Sequence, residues 1–240
     1  MIVDHTNRRV LEVLENRDKD AVKAYLQAAK DGGLLAHVEE VTTDMWEAYG
    51  HAAREVFGSA VRVTVDRFHV MQQMQKHLAQ ARREIQRGLP KDEAAALKGS
   101  RWLWVTNEEN LSPEQRRTLE QLCQSFPALG ALREQRESLR AMFEDGRITT
   151  QSGGLWRIGR WVEKARMLGL KALDRFCQTL ERWREEIANY FVSRASNGPT
   201  EGFNRGLRGI LSRACGMRNF LHFRARVLHA FGYPRPQEST

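Results

Sequence analysis

The sequence predicts an α/β protein whose sheet region is interrupted by one long all-helical stretch. Three observations predict it. Residues 1–70 alternate strand-like with helix-like segments. From Val70 the apolar period then stays at three or four residues for roughly 120 residues, as amphipathic helices require. At Ser196 a new signal begins, in which glycine, proline and an acid open a helix rich in arginine.

Taken in order, Met1–Val3 and Val10–Leu14 flank a polar turn containing Asp4, Thr6 and Asn7, the pattern of a β-hairpin. Asp18 is placed to cap a helix in which Val22, Tyr25, Leu26 and Ala29 recur at helical spacing until Asp31-Gly32-Gly33 stops it. His37–Thr43 reads as a strand ending at Asp44, Trp46–Phe57 as a helix, and Val61–Val65 as a strand ending at Asp66. Two parallel strands joined by a helix form a right-handed βαβ unit, which delivers both aspartates at the carboxyl edge where α/β sheets hold ligands. Beyond it Val70, Met74, Leu78, Ala81 and Ile85 carry the helical period, as do Leu119, Leu122, Phe126 and Leu129, then Phe176, Leu180, Trp183, Ile187 and Tyr190. Trp102, Trp104, Trp156 and Trp161 fall where these helices meet and read as packing residues.

Composition narrows the function classes. With 41% hydrophobic residues, 6 prolines and 18 glycines in 240 positions, the chain is neither disordered nor collagenous. Its 38 basic against 30 acidic residues leave +8, which favours an anionic partner, with nucleic acid ahead of membrane. No apolar run approaches a membrane span and the N-terminus lacks a signal-peptide pattern, so a cytoplasmic location without a membrane partner is expected. Cys123, Cys177 and Cys215 stand too far apart to suggest a disulfide framework or a cysteine zinc site.

In Ser196-Asn197-Gly198-Pro199-Thr200-Glu201 a loop enters a helix, with Gly198 as cap, Pro199 first and Glu201 third. Alone, Glu201 reads as a first-turn acid favoured by the helix dipole. The residues C-terminal to it change the balance. No other acid occurs before Arg235, whereas Arg205, Arg208, Arg213, Arg218, Arg224 and Arg226 do. A single carboxylate heading an arginine-rich helix suits a metal ligand acting on a polyanion backbone. Asp44 and Asp66, each taken alone, read as ordinary cap or turn aspartates. Asp66 and His69 also have the i, i+3 spacing of a metal pair.

The runs Val41-Thr42-Thr43-Asp44-Met45-Trp46-Glu47-Ala48-Tyr49, Val65-Asp66-Arg67-Phe68-His69-Val70 and Ser196 to Asn204 resemble the catalytic region of the ISL-three group of bacterial insertion-sequence transposases. Arg213-Ala214-Cys215-Gly216-Met217-Arg218-Asn219-Phe220 and Phe223-Arg224-Ala225-Arg226-Val227-Leu228 are similar too. The resemblance implies a ribonuclease-H-like mixed sheet with a helical insertion before the third acid of an Asp-Asp-Glu triad. It also implies two Mg²⁺ or Mn²⁺ ions, ~3.5–4 Å apart in such sites. Carried over, Asp44 is the second triad acid and Glu201 the third, both metal ligands. Asp66, His69, Asn197 and Asn204 support the site, and Arg205, Arg208, Arg213, Arg218, Arg224 and Arg226 hold DNA.

The core is then residues 1–70 and 195–233, the insertion 71–194, and the tail 234–240. A core of this kind opens with three antiparallel strands, the first bearing the first triad aspartate, and this chain has room for two. The expectation is therefore an N-terminally truncated transposase catalytic domain lacking that strand, its aspartate and the end-reading modules. It would not cut or join insertion-sequence ends or target DNA by itself. Asp4 matches a turn position and not the triad. Partners expected are DNA and a second copy or a full-length transposase. The competing expectations are a non-catalytic DNA-binding protein, a partner-binding transposase remnant, or an unrelated metal-dependent nuclease.

Overall fold

The computed structural model describes residues 1–16 and 18–233; Arg235 and the rest of the expected tail lie outside the described residues. The chain divides into two compact units, one made of Met1–Val63 together with the residues from Ala195 on, the other of Thr64–Arg194.

The first unit begins with strands β1 (Ile2–Asp4) and β2 (Arg9–Glu12), paired antiparallel with Val3 opposite Val10 and Asp4 opposite Arg9. Asp4 locks the turn between them. Its carboxylate accepts from the backbone and side-chain amides of Asn7 at 2.9 and 2.7 Å and from Arg9 Nε at 3.3 Å. Burial opposes ionisation of Asp4, but these hydrogen bonds and the Arg9 charge outweigh it and hold the carboxyl below its ordinary range. Helix α1 (Lys19–Asp31) is capped by Asp18, which accepts from Ala21 N. Strand β3 (Glu40–Thr43), helix α2 (Glu47–Phe57) and strand β4 (Arg62–Val65) come next, with Trp46 at the head of α2.

β3 and β4 form a second two-stranded sheet, in which Arg62 donates its N–H to Glu39 O at 2.9 Å. The strands thus make two separate pairs among the described residues, not the single mixed sheet expected. Each pair has its own apolar centre, and this keeps them apart. Val10 and Val13 are buried with Phe203, Ile210 and Val227, whereas Val61 and Val63 are buried with Ala53 and packed by Val38, Val41 and Phe57.

The unit is completed by α11 (Gly198–Arg213) and α12 (Phe220–Phe231). These two helices approach closely at Gly206, where an added Cβ would lie 2.5 Å from the Phe231 ring. Phe203 meets the same ring edge-on at 5.5 Å. β2 packs on α12, and Arg224 of α12 donates from both Nε and Nη2 to the buried carboxylate of Glu12. Glu12 Oε1 also accepts from Val13 N at 2.7 Å.

Between Thr64 and Arg194 every element of the second unit beyond β4 is helical: α3 (Arg67–Gly88), α4 (Lys91–Ala96), α5 (Arg101–Val105), a 3-10 turn (Glu108–Asn110), α6 (Pro113–Ser125), α7 (Pro127–Glu144), α8 (Gln151–Arg166), α9 (Lys171–Arg182) and α10 (Arg184–Ser193). The stripe Val70, Met74, Leu78 and Ala81 is the buried face of α3, which packs on α7 and α9. The densest helix pair is α8 with α10, where Gly154 admits the Phe191 ring. Arg194, at φ 57°, ends α10 and donates to the carbonyls of Phe143, Asp145 and Ile148 at 2.6–2.8 Å. It thereby binds one carbonyl of the last turn of α7 and two in the turn that follows. Trp104 and Trp161 are buried as expected of packing residues, but Trp102 and Trp156 are 68% and 62% exposed. Two residues along a helix turn ~200°, so a buried Trp104 sends Trp102 outward.

Two outcomes are expected for the first unit. Arg224→Leu leaves Glu12 buried without its cation and lowers stability by about 1–3 kcal/mol, read as a fall in the urea midpoint at unchanged slope. Lys19 and Lys23 of α1 hold Glu55 of α2, their hydrogen bonds bringing its carboxyl from 4.5 down to about 2. A depressed acid contributes fully above its unfolded value and loses that contribution as pH falls through the folded one. The α1–α2 contact therefore weakens between about pH 4.5 and pH 2. An NMR titration of Glu55 places its midpoint near 2, and the double variant Lys19→Ala with Lys23→Ala moves that midpoint toward 4.5.

Candidate functional site

Asp44 lies just past the last residue of β3, and its main-chain oxygen accepts from Trp46 N at 2.8 Å as the chain turns into α2. The residue is half-buried, its neighbour Thr43 is buried, and its Oδ1 is enclosed. α2 is held in turn by β3 and by α1, so the acid stands at the junction of a strand and a doubly packed helix.

Glu201 lies in the first turn of α11, half-buried, with its N–H donating to Asn197 O at 2.9 Å. Asn197, not Gly198, is the cap of this helix, so Gly198 and Pro199 are both helical and Glu201 falls one residue deeper than the sequence spacing suggests. The turn stays competent because proline needs no donor there. Asn197 is 7% exposed, while Asn204 is exposed.

One contact at this helix start has no sequence signal. His5 Nε2, from the turn after β1, shares a hydrogen bond of 2.9 Å with Thr200 Oγ1, the residue before Glu201. A lone histidine in a polar turn carries no spacing pattern, and the partner lies 195 positions away. The hairpin turn, itself locked by Asp4, therefore pins the first turn of α11.

Asp66 is the cap of α3, 2% exposed, with Oδ1 accepting from Phe68 N at 3.1 Å. That is the structural alternative open to it in the sequence. His69 is half-buried and edge-on to Phe68 at 5.8 Å. Among the described residues no three His, Cys, Asp or Glu side chains gather as a metal-binding group.

Of the six arginines expected on the basic face, Arg205, Arg208, Arg213, Arg218 and Arg226 are exposed. Arg213 Nε also donates to Gly209 O at 3.3 Å. Arg224 differs: its guanidinium is bound to Glu12, which raises its pKa through the hydrogen bonds they share, and the pair ties α12 to β2. An open cleft of about 420 Å³ lies elsewhere in this unit, lined by Arg9, Leu34, His229 and Tyr233 among others, and includes none of the expected acids.

Residues 1–227 match the family described as Transposase, of the ISL3 DDE type, and the chain belongs to that family. Over 234 residues it is 25% identical to the transposase for insertion sequence element IS1001 of Bordetella parapertussis, covering 96% of this chain and 56% of the relative. The chain thus spans a little over half the length of the curated relative it matches. No solved structure matches it. The family implies DNA binding and the use of divalent metal. No helix among the described residues is long and apolar enough to cross a membrane.

The His5–Thr200 bond generates a local prediction. Thr200→Val keeps the side-chain shape and removes the hydrogen bond, so backbone amide exchange at Glu201 and Gly202 quickens by roughly three- to tenfold. Amides of α12 stay protected, which distinguishes a loosened helix start from global unfolding.

Proposed function

We propose that the chain is the catalytic-domain portion of a DNA transposase that cleaves and joins strands at insertion-element ends by metal-dependent phosphoryl transfer. On this reading residues 1–70 and 195–233 form a split ribonuclease-H-like core and 71–194 its helical insertion. Asp44 and Glu201 hold metal, and Arg205, Arg208, Arg213, Arg218 and Arg226 hold DNA phosphates. The observation that carries it is family membership together with the placement of Glu201. A lone acid opens α11, and no other acid occurs from there through Tyr233 while five exposed arginines do.

The donors fit Mg²⁺ or Mn²⁺ in kind, being hard carboxylate oxygens. They do not fit a two-ion centre in number, since no three-ligand group gathers among the described residues. This chain's own residues thus supply DNA grip and two carboxylates. Asp66 acts as a helix cap in support of the fold, with His69 beside it, and Asn197 as the cap that sets the depth of Glu201. Cytoplasmic residence, and assembly with a second copy or a longer transposase, belong to the same reading. The missing third ligand favours a second reading, a DNA-binding or partner-binding remnant without catalysis.

The two separate on activity. In an excision assay of the whole insertion element that encodes the chain, Asp44→Ala and Glu201→Ala each lower excision at least about a hundredfold, because charge developing on the phosphate is left uncompensated. Excision unchanged in both variants rejects the carboxylate assignment and leaves the remnant reading. Purified alone with Mg²⁺ or Mn²⁺, the 240-residue chain binds duplex DNA with steep salt dependence and leaves it uncut.

A further inference from the structure

In the helical unit Arg83 and Arg101 are near enough for their charges to act on Arg82, and Arg101 lies against an outward tryptophan. Arg82 of α3 is fixed by donating from Nη1 to Leu97 O at 3.2 Å and Gln86 Oε1 at 3.3 Å. Arg83 is exposed and donates to Ala79 O, and Arg101 is exposed at the head of α5. Among the described residues none of the three has a carboxylate within ion-pair distance. Burial lowers the pKa of Arg82 most, and the like charges of Arg83 and Arg101 push the same way. Arg101 lies over the Trp102 ring, 5.2 Å from its centroid, and Trp102 is nevertheless 68% exposed.

This geometry is built, not frayed. Trp104, 1% exposed, donates its indole N–H to Ser100 Oγ at 3.0 Å, and Ser100 Oγ donates to Leu97 O at 2.8 Å. At the other end of α5, Arg133 donates to the carbonyls of Leu103, Trp104 and Thr106 at 2.9–3.3 Å. The short helix is thereby pinned at both ends, with its tryptophan outward. Repelling cations and a large apolar face in water both carry a free-energy cost that an anionic, flat ligand relieves.

We propose that Arg82, Arg83, Arg101 and Trp102 form a binding surface for nucleic acid with unpaired bases. One base stacks on the Trp102 face opposite Arg101, and the flanking phosphates meet the guanidinium groups. A duplex keeps its base faces covered and offers this platform only phosphates; an acidic peptide offers charge without a stacking partner. The surface lies in a segment separate from α11 and α12. It rests on the DNA-processing reading above and adds that the substrate passes through a form with at least one unpaired nucleotide.

The test measures fluorescence anisotropy of a labelled oligo-dT strand and of a mixed-sequence duplex of equal length, with the 240-residue chain and its variants. Trp102→Ala weakens the single strand at least about tenfold and leaves the duplex within about twofold; Trp102→Phe restores most of the loss, since a phenyl ring still stacks. Arg83→Gln with Arg101→Gln reduces the slope of log affinity against log salt for the single strand by about 1.4, as two lost phosphate contacts require. Circular dichroism of each variant stays as in the parent, because the replaced side chains are exposed. Single-strand affinity untouched by Trp102→Ala, with duplex binding still lost on Arg205→Glu and Arg208→Glu, overturns this surface and leaves the DNA reading standing. Equal weakening of both DNAs by Trp102→Ala, or no rescue by phenylalanine, also overturns it. Failure of the parent chain to bind either DNA overturns both.

Discussion

Closure of the first unit depends on one apolar meeting, where Val10 and Val13 of the N-terminal hairpin are buried with Phe203, Ile210 and Val227 of the last two helices. A two-stranded hairpin is marginal in water by itself, so this burial gives the strands their reason to persist. The Glu12–Arg224 pair forms at the same seam and adds direction to a contact that apolar burial leaves non-directional. His5 and Thr200 then fix where α11 begins. The angle and depth at which Glu201 is presented therefore depend on residues of the first hairpin.

The change of period at Val70 was legible because helical burial repeats every three or four residues, and the buried stripe of α3 carries the positions read from the sequence. Asp18 was legible as a cap for a comparable reason, its side chain acting on a neighbour three residues away. The arrangement of strands was not. Whether two short pairs join into one sheet depends on what buries each, and Val10 and Val63 find different clusters at long range. The cap of α11 was misplaced by one residue because Asn197 and Gly198 both suit that position locally.

Charge gave less than its count suggested. Arg224 sits in the same run as Arg218 and Arg226 and looks like them, yet a carboxylate 212 positions away claims it. Tryptophans were hard to place for the opposite reason. Trp102 and Trp104 share composition, neighbourhood and helix, and only the rotation between them puts one in the core and the other in water. Asp66, the cap of α3, accepts from a backbone amide two residues on, a local contact that its place at a strand end already suggested.

The division of the first unit into two chain segments has a consequence for biosynthesis. As the polypeptide leaves the ribosome, the hairpin emerges long before the helices that cover Val10 and Val13, because residues 64–194 come between. At ordinary translation speed that interval is on the order of ten seconds. During it β1 and β2 expose open edges and uncovered valines, while the helical segment has the contacts it needs to collapse by itself. Nascent-chain companions that shield short apolar strands would therefore act while the helical segment is still being made, and a ribosome stalled in that interval would hold a hairpin that is still adhesive.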